Sequence, residues 1–167
     1  NLENHHHNDI GTFTLTLDGA PLVVDLGRLE YTAQTFSERR YEIWAVQSLW
    51  HSVPRICGVE QSVGEEFRCR EASFEDSGEK AWAQMEIIDA YEVPPNVFSD
   101  KNAVGDQRTS WVRRLLLDRN RETVQLEDTW VGLEGPHQIT YIVAGEVEQV
   151  GPRAVLLGGG ACLGQLG

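Results

Sequence analysis

The feature that most constrains the fold is an alternating stretch near the start of the chain. Threonine and apolar residues alternate through residues 12–17, Asp18 and Gly19 follow, and residues 20–26 are largely apolar. Such alternation is typical of a β-strand with one buried face, and Asp-Gly is a favoured two-residue hairpin turn. The sequence therefore predicts a β-hairpin. Its register pairs Leu17 with Ala20, Leu15 with Leu22, Phe13 with Val24 and Thr12 with Asp25.

Further short strands are predicted along the rest of the chain. They occupy residues 55–59, 81–88, 109–118, 122–130, 138–143 and 154–157, with Leu115, Leu117, Val124 and Leu126 as core candidates. Residues 27–49 are irregular, and residues 38–44 fit either a short helix or a strand. Because no long amphipathic helix is present to connect parallel strands, the pattern predicts an all-β fold, an antiparallel β-sandwich.

Length and composition agree with one globular domain over residues 1–167, with the glycine-rich residues 158–167 as a frayed tail. No apolar run is long enough to span a bilayer. The net charge of −12 argues against a nucleic-acid surface. Three cysteines without C-x-x-C spacing predict free thiols. Because the chain begins at Asn1 and its one methionine is Met85, we expect a fragment of a longer protein.

Histidine is concentrated at the start of the chain. His5, His6 and His7 stand just before Asp9, in a chain with five histidines in all. On an extended backbone His5, His7 and Asp9 point to the same side, and an H-x-H step is a natural half of a metal site. The alternative is a tag remnant or a solvated tail.

Two residues downstream are each open to a metal-binding and an ordinary structural interpretation. Asp25 ends the predicted hairpin among apolar neighbours and is either an ordinary exposed carboxylate or a ligand. His51 follows Trp50 and, taken alone, is more typical of a hydrogen-bonded structural histidine. His137 and the five tryptophans are read as structural, with Trp50 as the one candidate for a sugar contact because it adjoins His51.

Short motifs in the first third of the chain form a recognisable combination. They are His5-His6-His7-Asn8-Asp9-Ile10-Gly11-Thr12-Phe13, the Asp18-Gly19 hairpin ending in Val24-Asp25-Leu26-Gly27, Arg40-Tyr41-Glu42, Gln47-Ser48, and Trp50-His51-Ser52-Val53-Pro54 followed by Gly58 and Gln61. In this combination the sequence resembles the C-terminal region of heparinase II/III-like polysaccharide lyases. The later Trp111-Val112-Arg113 and Asp128 are compatible with it but less specific.

The resemblance implies roles for individual residues. His7, Asp25 and His51 would bind one zinc ion, and His5 would point into the active-site cleft as a catalytic residue. Two imidazoles and a carboxylate are a regular zinc set, and Asp9 could fix the tautomer of a ligating histidine. The chain departs from the family pattern at Ser52, where asparagine is common, and in the additional His6, which has no assigned role.

This ligand set imposes a geometric condition. If residues 5–12 formed a straight strand, His7 would lie about 16 Å from the position facing Asp25. The chain must therefore bend near Asp9 to Gly11, and Gly11 is the residue that can allow it. An unbroken strand from His5 to Leu17 would contradict the shared site.

The resemblance also implies a function, the cleavage of uronic-acid-containing glycans by β-elimination. That reaction needs neutralisation of the carboxylate, a base for the C5 proton and an acid for the leaving oxygen. His5 would be the base or would hold the uronate, and the remaining groups would lie on a preceding helical toroid domain, so this piece alone should be inactive. The implied substrate is an acidic polysaccharide, heparin-like or alginate-like, and the implied location is periplasmic or secreted. The net charge makes a highly sulfated polymer less attractive unless the toroid is basic.

Two alternatives come from other classes of protein. One is a non-catalytic, metal-stabilised sandwich for sugar binding or interdomain contact. The other is a cupin-like metal enzyme, because H-x-H in a β-rich chain also begins that motif. The cupin pattern expects a glutamate a few residues later, whereas this chain has Asp9 at a different step.

Overall fold

A computed structural model describes residues 6–27, 29–94, 109–151, 154–157 and 162–164, with backbone alone from residue 149 onward. The strands are β1 Leu15–Leu17, β2 Ala20–Val23, β3 Pro54–Arg55, β4 Glu71–Asp76, β5 Lys80–Glu86, β6 Ser110–Asp118, β7 Thr123–Val131, β8 Gln138–Ile139, β9 Val147–Gly151, β10 Ala154–Leu157 and β11 Cys162–Gly164. Short 3₁₀ helices cover Ala33–Phe36, Glu38–Glu42, Trp44–Val46, Ser48–Trp50 and Ile88–Ala90.

All strand pairs in the described ranges are antiparallel. The largest sheet has the order β4-β5-β6-β7, and smaller sheets join β11-β10-β9, β1-β2 and β3-β8. The all-β prediction, consistent with a sandwich, is therefore confirmed. Of the glycine-rich tail, Cys162–Gly164 forms strand β11 and the other residues lie outside the described ranges. Among the described helices, none has the length and apolar character needed to cross a bilayer.

The core lies where one end of the large sheet meets the chain around β3. Its buried apolar side chains are Ile56, Ile87, Ile88, Ala90, Tyr91, Trp111 and Leu133. The four core candidates on β6 and β7, by contrast, are only half-buried. They belong to the far end of the sheet, whereas the core packs on Trp111 at the start of β6.

The hairpin forms at the predicted turn but with a different register. Asp18 and Gly19 have positive φ angles of 50° and 82°, as a type I′ turn requires, and Leu17 pairs with Ala20. A bulge between Leu15 and Thr16 then makes Leu15 pair with Val23 rather than with Leu22. The predicted register beyond the turn was therefore wrong, because a bulge adds one residue to one strand and moves every later pair.

Of the two predictions for residues 38–44, a short helix forms and a strand does not, because Glu38–Glu42 is a 3₁₀ helix. From Ala33 to Trp50 the chain makes four consecutive 3₁₀ turns, each closed by a backbone hydrogen bond between residues three apart. Arg40, Ala45, Val46 and Ser48 are the buried residues that anchor the last three of these turns. This segment delivers His51 to the interior, where its side chain is fully buried.

The regions flanking this segment also differ from the expectation. The strand predicted over residues 55–59 is limited to the two residues of β3, which pairs with β8. The polar residues 64–80 contain the six-residue strand β4, in which every residue is exposed. An edge strand of this kind has no buried face and so carries no alternation for a sequence pattern to detect.

Candidate metal centre

The predicted bend between the histidines and the hairpin is present. Residues 6–14 are not a strand, and the Thr12 N–H donates to the Asp9 carbonyl at 2.9 Å, which closes a turn. Gly11 is buried within that turn and has a φ of +90°, a conformation that side chains disfavour. A Cβ at Gly11 would also lie 3.4 Å from Cδ of Arg113. The condition for bringing His7 and Asp25 together is met.

Gln61 fixes the segment that carries His7 and Asp9 to the rest of the domain. Its side-chain amide accepts from the Ile10 N–H at 2.9 Å and donates to the Ile10 carbonyl at 2.7 Å. The amide thus pairs with both backbone groups of Ile10, as a neighbouring β-strand would. Asn8 donates from its backbone to the Val46 carbonyl and from its side chain to the Gln61 carbonyl. Residues 8–10 are thus held at both backbone and side chain.

Arg113 connects this segment to the one that carries His51. Its Nη1 donates to the carbonyl of Gly11 at 3.1 Å and to the carbonyl of Ser52 at 2.6 Å. Nε and Nη2 donate to the carboxylate of Asp128, each at 2.9 Å, and both side chains are almost fully buried. One guanidinium therefore sets the spacing between the two halves of the site.

His51 faces two hydrogen-bond acceptors. Its Nδ1 lies 2.8 Å from Oδ2 of Asp25, and its Nε2 lies 3.1 Å from the carbonyl oxygen of Ala45. A neutral imidazole has only one N–H, and a carbonyl oxygen can only accept. If that N–H is on Nε2, the Nδ1 lone pair faces a carboxylate oxygen, and the position between them requires a cation, either a proton or a metal ion.

His7, Asp9 and His51 form a group that could hold a metal ion. Each offers a ligand atom, and these atoms lie within 4.8 Å of one another; the rings of His7 and His51 have centroids 5.1 Å apart. Asp25 joins the site through its contact with His51. His5, the predicted catalytic residue, lies outside the described residues. His6 is exposed, and its carbonyl accepts from Arg40.

The pKa shifts follow from burial and from the charges within the group. Burial, followed by the neighbouring His51 and Arg40, lowers the pKa of His7 and favours the neutral ring that a metal needs. Burial raises the pKa of Asp9. Burial also acts to raise the pKa of Asp25, but hydrogen bonds from the Gly27 N–H and His51 outweigh it, so the pKa lies below its usual value.

The donor set fits zinc in kind, although the group whose ligand atoms all lie within 4.8 Å of one another is His7, Asp9 and His51, without Asp25. Two imidazoles and a carboxylate are ordinary zinc ligands, and tetrahedral coordination places ligand atoms about 3.3 Å apart. The 2.8 Å between His51 and Asp25 would therefore have to open by about half an ångström. Asp25 can make this movement, because its side chain is 26% exposed whereas His51 is fully enclosed.

Comparison with known protein families gives a match over most of the chain. The model of the family described as Heparinase II/III-like, C-terminal, matches residues 1–148. The chain belongs to this family. A comparison with curated proteins gave no match. Within the heparinase II/III-like domain, all of the motifs in the first third of the chain therefore lie inside the matched region.

The structure adds residues to the site that motif reasoning did not single out as functional. Arg40 and Gln61 are part of the motifs but had no role assigned to them, and Arg113 belongs to the less specific Trp111-Val112-Arg113 motif. The signal for Arg113 was an arginine in a strand otherwise rich in apolar residues, which demands a buried partner. By contrast, His137 packs its ring on Trp111 and Trp130 of the heparinase II/III-like domain and accepts from the Cys57 N–H, as a structural histidine does.

Proposed function

We propose that this domain is the zinc-bearing C-terminal β-sandwich of a polysaccharide lyase that cleaves uronic-acid-containing glycans by β-elimination. The observation that carries the proposal is the convergence of His7, Asp9, Asp25 and His51 in a chain of the heparinase II/III-like family. These residues come from three separate segments, so their meeting depends on the whole fold around them.

In this proposal the zinc ligands are His7, Asp25 and His51, and Asp9 supports them. The Nε2–H of His51 donates to the Ala45 carbonyl, which leaves Nδ1 free to coordinate. Bound zinc would supply positive charge that fixes the ligand segments and polarises neighbouring groups. His7 and His51 lie half-buried and fully buried, respectively, which favours a metal whose role is mainly structural.

His5, two residues before His7, is the proposed catalytic residue of this domain. Holding His7 fixes the backbone next to His5, and the imidazole of His5 would take the C5 proton of the uronate or hold its carboxylate. The acid and the other substrate contacts would come from a helical toroid domain in the longer protein, exported to the periplasm or secreted. The isolated domain would then be inactive.

The test of the metal site is the zinc content of the purified 167-residue chain. We expect one zinc per chain, a loss of zinc in His7→Ala and Asp25→Asn, and a smaller loss of affinity, about ten- to a hundredfold, in Asp9→Asn. His137→Ala is the matched control, because His137 contacts aromatic rings away from the group. An apo parent chain would refute the ligand assignment. Full loss in Asp9→Asn with none in Asp25→Asn would assign the carboxylate ligand to Asp9 instead.

The test of activity uses the longer protein on uronate polymers. β-Elimination leaves an unsaturated product that absorbs in the ultraviolet, and His5→Ala should abolish its formation without reducing zinc content. If no uronate polymer yields such a product, the domain is better explained as a non-catalytic, metal-stabilised sandwich. The full enclosure of His51 is the observation that favours that second function.

A further inference from the structure

A cleft lies directly beside the candidate metal centre. Its cavity measures about 240 Å³, smaller than the sites typical of drug-sized ligands and suited to a single sugar residue. His7 forms part of its wall, so the cleft and the metal centre share a side chain. The apolar part of the lining is Leu29, Ile43, Ala45 and Val46.

Arg40 places a buried positive charge in this lining. The residue is 5% exposed. Its Nε and Nη2 donate to the His6 carbonyl at 3.3 and 2.8 Å, and its Nη1 donates to the Thr35 carbonyl at 3.4 Å. Carbonyl groups accept hydrogen bonds but do not neutralise a charge. Within the described residues, no acidic side chain lies within ion-pairing distance of Arg40.

Arg113 is the other buried arginine among the described residues, and it shows what Arg40 lacks. Arg113, which does not line the cleft, has the carboxylate of Asp128 at 2.9 Å, and that carboxylate is buried with it. A buried charge without a counter-ion is unfavourable, so buried arginines are ordinarily paired. The arginine that faces the cleft is therefore the one that has no counter-ion among the described residues and could take one from a bound ligand.

The guanidinium of Arg40 also has donors left for such an anion. Arginine has five N–H groups, and the contacts with His6 and Thr35 use three of them. One N–H on each terminal nitrogen remains. Two parallel N–H donors match the two oxygens of a carboxylate, and this pairing is among the strongest hydrogen-bonded contacts in proteins.

The other polar groups of the cleft match a sugar rather than a simple anion. Glu30, Tyr31, Thr32 and Gln34 line it beside Arg40. Glu30 would repel a small anion, but it can accept from sugar hydroxyls, as Gln34 can. Resting on the proposed function, we propose that this cleft is a uronate-binding subsite in which Arg40 holds the carboxylate of a sugar residue and the 30–34 wall contacts its hydroxyls.

The experiment is a titration of the ¹⁵N-labelled, zinc-loaded 167-residue chain with D-glucuronate, followed by NMR. D-Glucose is the neutral control and acetate is the carboxylate without a sugar. We expect saturable shifts of the Arg40 Nε–H signal and of the residue 30–35 amides with glucuronate, weaker binding of acetate, and no comparable shift with glucose. This measurement needs no variant, so it tests the subsite even if substitution of Arg40 prevents folding.

Variants at two adjacent arginines complete the test. Arg40→Met should raise the Kd for glucuronate about ten- to a hundredfold, and Arg40→Lys should fall between, because lysine keeps the charge without the paired donors. Arg39→Met is the matched control, since Arg39 is exposed and paired with Glu42; its Kd should stay unchanged.

Three results would overturn the subsite: equal losses in Arg39→Met and Arg40→Met, equal binding of glucose and glucuronate, or acetate binding as tightly as glucuronate. Zinc stoichiometry, measured on the same samples, reports on the proposed metal site. Failure of the cleft and failure of the metal site are therefore separately visible.

Discussion

Replacement of Arg113 by methionine tests whether one buried side chain sets the spacing of the metal centre. Methionine keeps much of the length and apolar volume but removes every donor. The change breaks the pair with Asp128 and leaves the carbonyls of Gly11 and Ser52 without their donor. Because both members of the pair are almost fully buried, Asp128 would become an unpaired buried charge.

The expected magnitude follows from that loss. Removing one member of a buried ion pair costs about 3–5 kcal/mol in the free energy of unfolding. For a domain of this size, that corresponds to a decrease in Tm of about 6–20 °C. Zinc affinity should fall as well, because Gly11 and Ser52 flank the two segments that carry His7 and His51.

Two further variants separate this cause from simple loss of an arginine. Arg114→Met, at the next position of β6, removes a guanidinium that lies 5.2 Å from the Trp82 ring centroid and should cost only about 0.5–1 kcal/mol. Adding Asp128→Asn to Arg113→Met should recover part of the loss, because it removes the unpaired charge while Oδ1 can still accept from Trp111. Chemical denaturation and zinc titration measure both quantities. Equal destabilisation by Arg113→Met and Arg114→Met would refute the reasoning.

Three shorter predictions concern the bend, its anchor and the surface charge. Gly11→Ala should destabilise the domain by about 1–2 kcal/mol and weaken zinc binding, because φ at Gly11 is +90°. Gly19→Ala, in the hairpin turn, should reduce stability without changing zinc affinity. Equal zinc affinity in the two variants would contradict this prediction. Gln61→Leu should lower the free energy of unfolding by about 1–3 kcal/mol, because the partly buried Ile10 backbone groups lose their partner, and an unchanged denaturation midpoint would show that water replaces it. Oligoglucuronate affinity should rise between low and physiological salt as the repulsion from the −12 charge is screened, and a fall with salt would instead indicate a basic surface.

Local chemistry explains which parts of the fold could be predicted from sequence. The Asp18-Gly19 turn was readable because few residue pairs tolerate two successive positive φ angles. The bend at Gly11 was readable for a different reason. It was the only way for His7 and Asp25 to approach each other, so the ligand hypothesis itself required it.

The parts that escaped prediction depend on contacts between distant segments. The bulge beside Leu15 has no local signal, and it moves the register of the pairs that follow. The choice between a short helix and a strand at residues 38–44 stayed open, because the helix is held by distant contacts: Arg40 donates to the His6 carbonyl, and the following Val46 carbonyl accepts from the Asn8 N–H. Arg113 contacts Gly11 from 102 residues away, and no spacing rule reaches that far.

An acidic domain can bind an acidic sugar because the two charge effects act over different distances. The excess of acidic residues acts over long range and is screened within about 8 Å at physiological ionic strength. Arg40 and Arg113 are 5% and 2% exposed, so their fields act at short range in a less polar environment, where screening is weak. Of these two arginines, Arg113 has a carboxylate partner and Arg40 has none among the described residues. Under the proposed function, the domain selects a sugar whose carboxylate can reach Arg40. Dense sulfation of the polymer would increase its repulsion by the acidic surface, and within the described part of the chain the sulfate groups would gain no additional buried arginine to bind.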